Sequence, residues 1–238
     1  MSGDAARSSP SFRGASPGAG RGFSLIELVV VMGVVMILVG LALPSLQRSW
    51  WTGRSVAQLA SVRHNAALIG QYAQVYRDLY PQPDARTSTE VVHFWYKPMV
   101  ESGYFASPRE ADPLGTRRHG RVNIMLSECM AHPPERMVRG NTQPERERRP
   151  APVRTGDVLE PSRKGLLALA KLESDRIQAY WCCVPGFPKG PVAFADGGAS
   201  LEYWMDLLPN QRFEPDRNGI GRPVMTTWGG ARGRDRQQ

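Results

Sequence analysis

Residues 25–43 read LIELVVVMGVVMILVGLAL, nineteen positions whose only charge is Glu27. At 1.5 Å of rise per residue, a helix of that length covers roughly 28 Å, enough to cross the hydrocarbon core of a bilayer. Helix is the conformation open to a single segment there, because hydrocarbon offers backbone N–H and C=O groups no outside partner. Gly33 and Gly40 leave small spots where a second helix can approach closely. Pro44 brings no backbone donor and is expected to kink or loosen the helix. An acid within such a segment costs at least ~2.5–3.5 kcal/mol unless it finds a partner, so energetics alone mark Glu27 as a functional candidate.

The flanks fit a segment with an inside and an outside. Residues 1–22 hold Gly, Ser, Ala, Pro and three arginines against one acid, with no apolar periodicity, and read as a disordered, mildly positive leader. Positive charge ahead of the apolar run keeps the leader cytoplasmic and directs the chain beyond it outward. Past the run, a second helical pattern over residues 45–80 places Leu59, Val62, Ala66, Ile69, Ala73 and Tyr76 on one stripe, closed by Pro81. The stripe packs on the helix's own domain or, as the alternative, on a coiled-coil partner. Trp50 and Trp51 suit either a membrane-interface belt or packing in the long helix.

The remainder, residues 81–208, reads as a β-rich head. Residues 91–96 (VVHFWY) and 121–126 (RVNIML) are strand candidates, the second with one buried face. Residues 165–172 are a short apolar piece of open type, and 177–183 look like a strand. Residues 191–205 read as a β-hairpin around Asp196-Gly197. Between 132 and 164 proline and charge dominate, which predicts a largely disordered excursion. Residues 209–238, with six arginines and five glycines, predict a flexible basic tail. The fold expected is α+β, a long N-terminal helix packed on a small antiparallel sheet.

Chemistry of the catalytic kind has no residue pattern to carry it. No nucleophile motif, phosphate-binding glycine loop or zinc-ligand spacing occurs, so neither an enzyme nor a cofactor or metal site is expected. His64, His93, His119 and His132 are scattered and read as surface or loop residues. The formal charge of +8, nearly all of it arginine, suits nucleic acid, anionic lipid or an acidic partner without choosing among them. The basic run at 117–121 is the segment best placed to meet phosphate, although such runs are commonly solvated loops. Cys129 can reach a disulfide with Cys182 or Cys183 if strands 121–126 and 177–183 are neighbours; adjacent Cys182 and Cys183 bridge each other only with strain.

Gly22-Phe23-Ser24-Leu25-Ile26-Glu27-Leu28 closely resembles the processing site of type IV prepilins and type II secretion pseudopilins. The resemblance implies a leader of residues 1–22, removed after Gly22 by a membrane prepilin peptidase, and N-methylation of the new terminus, Phe23. It implies a transmembrane helix over 23–44, with Pro44 at the family's helix-kinking position and Glu27 as the acid that pairs with the free amine of a neighbouring subunit. The implied partners are the peptidase, other pilin or pseudopilin subunits, the inner-membrane assembly platform and membrane lipid. The implied location is a bacterial inner membrane, crossed once, with the head in the periplasm or outside the cell. Around Asp196-Gly197 the hairpin also resembles that of pilin-like proteins with His, nine residues, then Asp-Gly. Here Gly186 stands in place of the histidine, so no role of that histidine carries over.

Electrostatics suits such an assembly. Two unit charges 4 Å apart attract by ~4 kcal/mol at an effective dielectric of 20, comparable with the cost of inserting the acid. The function expected is therefore a structural subunit of a secretion pseudopilus or a pilus-related filament. Two alternatives stand beside it: a DNA-binding minor pilin or competence-type pseudopilin, and a secreted or membrane-anchored protein whose residues 1–42 act as an ordinary signal.

Overall fold

The computed structural model describes residues 23–113, 122–132, 134, 150–169, 171–173, 178–180, 189–203, 206–207 and 230–236. It is α+β: a long N-terminal helix, short helices, and a four-stranded antiparallel sheet. The chain divides into two compact units, residues 1–48 and 49–238. In the first, every described residue is exposed. The core lies in the second.

Helix α1 (Leu25–Val75) contains Pro44 without being ended by it. Next to the proline, the Ser45 hydroxyl donates to the Ala42 carbonyl at 2.9 Å. Within the second unit α1 buries Gln58, Val62, Asn65, Ala66, Ile69, Tyr72 and Ala73. The stripe read from the sequence is therefore real at Val62, Ala66, Ile69 and Ala73, but Tyr72 takes the place given to Tyr76, which is 39% exposed. Two amides share the face: Asn65 Nδ2 donates to Ala111 O at 2.6 Å.

The helix stops at Val75, short of the proline. Arg77 and Asp78 follow with φ of 56° and 63°, left-handed values that cost an L-residue roughly 1–2 kcal/mol each. Asp78 N–H reaches back to Ala73 O at 2.8 Å, the closing bond of a Schellman-type end. Residues 153–155 hold the turn from outside. Arg154 Nη1 donates to Arg77 O (3.0 Å), Thr155 N–H to Asp78 O (2.7 Å), and Tyr80 N–H to Val153 O (3.1 Å).

Residues 91–96 are not a strand. They form α2 (Ser88–Phe94) and the start of α3 (Tyr96–Glu101). Capping decides it: Thr87 Oγ1 accepts from Glu90 N–H at 3.3 Å, and Glu90 Oε2 accepts from Arg86 N–H at 2.7 Å. This Thr-x-x-Glu start overrides the β-propensity of Val, Phe, Trp and Tyr. Val91, Trp95 and Met99, four apart, then bury completely, and Trp95 Nε1 donates to Ile124 O at 2.9 Å. Helix α4 (Pro108–Ala111) follows.

The sheet runs β1-β2-β5-β6, all antiparallel: β1 (Ile124–Leu126), β2 (Gly165–Leu169), β5 (Gly190–Phe194) and β6 (Ala199–Glu202). β3 (Lys171–Glu173) and β4 (Gln178–Tyr180) form a separate antiparallel pair. β1 is buried on both faces rather than one. The hairpin falls where the sequence placed it: Gly197 has φ 84°, its N–H donates to Phe194 O at 3.0 Å, and Asp196 Oδ1 accepts from Gly198 N–H at 2.8 Å.

Two segments expected to be loose are ordered in their described parts. Within 132–164, Val153 and Val158 join the core, and a short 3-10 helix spans Thr155–Asp157. Within 209–238, a 3-10 turn covers Gly230–Arg232, Ala231 is buried, and Asp235 sits 3.0 Å from Lys164 Nζ with the two side chains 1% and 0% exposed. Composition hid both, because a mostly polar segment needs only one or two well-placed groups to dock.

Candidate assembly helix and its acid

The acid singled out in the apolar run sits at the first turn of α1. Ser24 N–H donates to Glu27 Oε2 at 2.9 Å, and Glu27 N–H donates to Ser24 Oγ at 3.2 Å. These reciprocal bonds are a capping box, satisfying two donors that a helix start otherwise leaves without partners. The signal was present in the sequence as Ser24-Leu25-Ile26-Glu27. Negative charge at this end is also favoured by the helix macrodipole, by about 0.3–1 kcal/mol. Within its own chain, then, Glu27 has a local role that uses Oε2.

Around the acid the surface is apolar. Phe23 is 80% exposed, and the large aliphatic side chains from Leu25 to Leu46 lie open on every face. A Cβ added at Gly33 or Gly40 would meet no atom within 4 Å, so both positions remain open to close approach from another chain. α1 is the one helix among the described residues that is long and apolar enough to span a bilayer. Gly22, half of the inferred cleavage site, lies outside the described residues.

Cys129 is buried, while Cys182 and Cys183, its suggested partners, lie outside the described residues. His64 is exposed and His93 half-buried; His119, with the rest of the basic run, lies outside the described residues. His132 departs from expectation, being fully buried with no hydrogen bond to either ring nitrogen among the described residues and Glu128 Oε1 3.7 Å from its Nε2. Among the described residues no three His, Cys, Asp or Glu side chains converge on a metal-sized site.

Lys164 and Asp235 are the polar pair that sequence reasoning missed. Burial pulls the lysine pKa down, but Asp235, with a lesser contribution from Cys129, more than offsets this and holds it above its ordinary value. The carboxylate also accepts Gly165 N–H at 2.9 Å, which draws the start of β2 into the same site. Nothing local could have flagged the pair, since its halves come from segments that read as a linker and a tail.

The chain matches no family model, no curated protein and no solved structure.

Proposed function

We propose that this chain is a pilin-like structural subunit of a type II secretion pseudopilus or a type IV pilus-related filament. In this reading a prepilin peptidase cleaves after Gly22, Phe23 becomes a methylated terminus, and the subunit waits in a bacterial inner membrane with its head outside. Assembly proceeds through the N-terminal helix. The observation that carries the reading is the wholly exposed apolar length of α1 with an acid in its first turn. An apolar surface of that extent is stable only against lipid or other helices.

The capping box refines what Glu27 does. One carboxylate oxygen holds the helix start, and the charge as a whole remains available to an amine at Phe23 of an adjacent subunit. Substitution separates the two roles. Glu27→Gln keeps a side chain able to cap and removes the charge; Glu27→Ala removes both. Mass spectrometry of the mature protein is expected to find methyl-Phe23 in the native chain and both variants, with filaments formed by the native chain alone. Filaments from Glu27→Gln at native yield would limit the acid to capping. A mature terminus at Leu43 would replace the filament reading by an ordinary signal peptide.

A further inference from the structure

The sequence left two readings open for the surface just past the apolar length of α1, an interface belt or packing within the helix, and its geometry favours a particular neighbour. Trp50 and Trp51 meet edge to face, with ring centroids 4.6 Å apart and planes 80° from parallel. The guanidinium carbon of Arg54, one turn on, lies 5.4 Å from the centroid of the Trp50 ring. Trp50 is nonetheless 57% exposed, so the head does not cover it. Two fused apolar rings, each with one N–H, and a cation stacked on one of them suit a layer that is oily on one side and wet and anionic on the other.

Position supports the same neighbour. Trp50 and Trp51 follow Leu46, the exposed aliphatic before them, by roughly 6–8 Å of helical rise, about the thickness of one head-group layer. We infer that Trp50, Trp51 and Arg54 form a collar that seats in the head-group layer of the bilayer and binds anionic phospholipid there. The indoles fix the depth of the helix, and the guanidinium takes the lipid phosphate as a charge-assisted, two-pronged partner. Because the collar must leave this layer before a subunit can enter a filament, anionic lipid would also set how firmly the unassembled subunit is held. The inference rests on the membrane reading of α1.

The test uses the full chain reconstituted into vesicles of phosphatidylcholine with and without phosphatidylglycerol, carrying lipids brominated at shallow or deep positions. Trp50→Phe and Trp51→Phe, made together, give the share of the emission that belongs to the collar. That share is expected to be quenched more by shallow than by deep bromine, and more by brominated phosphatidylglycerol than by brominated phosphatidylcholine. Arg54→Gln is expected to reduce the preference for phosphatidylglycerol about fivefold, equivalent to ~1 kcal/mol per basic residue near an anionic surface. A chain that floats with vesicles while its collar indoles escape quenching would overturn the collar and leave the membrane reading intact. Equal quenching by the two head groups would overturn anionic selectivity, and a chain that does not float with vesicles at all would overturn the membrane reading beneath both.

Discussion

Along residues 25–46 of α1 the large aliphatic side chains are exposed all round, whereas along 58–73 of the same helix one face is buried and the others meet solvent. The first stretch carries no charge beyond Glu27, and the second places Gln58 and Asn65 on its buried face. The difference teaches that one backbone conformation can carry two quite different surfaces. Where lipid or another helix must complete the structure, uniform apolarity suffices and detail matters little. Where the chain supplies its own core, shape and hydrogen bonding decide, and each side chain counts.

The sharpest break in that comparison is a charge inside the core. Asp235→Ala leaves Lys164 buried without its carboxylate and is expected to destabilise the head by about 3–5 kcal/mol in urea unfolding. Lys164→Met combined with Asp235→Leu removes both charges and is expected to restore most of that loss. The pair also has a pH signature. The folded lysine pKa is raised, so its contribution is fully present below the ordinary value of 10.5 and is lost as pH rises through the folded value. The stability difference between the native chain and the double variant should therefore hold steady from about pH 7 to about pH 9 and shrink only above the ordinary lysine range. A steady decline across neutrality would contradict the pairing.

Truncation at matched positions sharpens the contrast within α1. Ile69→Ala is expected to cost the head about 2–4 kcal/mol, through lost transfer energy and a residual cavity. Leu38→Ala, in the exposed stretch, should leave the unfolding of the head unchanged. Equal losses would mean that the two stretches are stabilised in the same way. The smallest expected effect lies at the end of the helix. Arg77→Gly relieves a left-handed φ at the cost of chain entropy and should stabilise by about 0.5 kcal/mol, measured by the same unfolding.

The sequence made one region legible and left the other partly hidden, for a physical reason. Hydropathy needs no partner to be read, so the apolar stretch of α1, the acid within it and the buried stripe at Val62, Ala66, Ile69 and Ala73 could all be seen in advance. So could the hairpin, because Asp196-Gly197 sets a turn locally. Residues 91–96 misled because β-branched and aromatic side chains also suit a buried helix face, and the deciding cap lay upstream at Thr87. Lys164 and Asp235 gave no signal because each looks like ordinary surface charge until the fold brings them to 3.0 Å. Of the candidate site, Ser24 alone was overlooked despite a local signature.

The contact between Asp235 and the start of β2 fixes an order in time. Gly165 takes its carboxylate partner from 70 residues further along the chain, so that bond and the Lys164 pair beside it form only after that stretch has left the ribosome. Helix α1 is made before β2, and the carboxylate that anchors the start of β2 follows both. During that interval Lys164 lacks its counter-charge and β2 lacks one of its anchors. Until Asp235 emerges, the half-made sheet is a place where a growing chain can go astray.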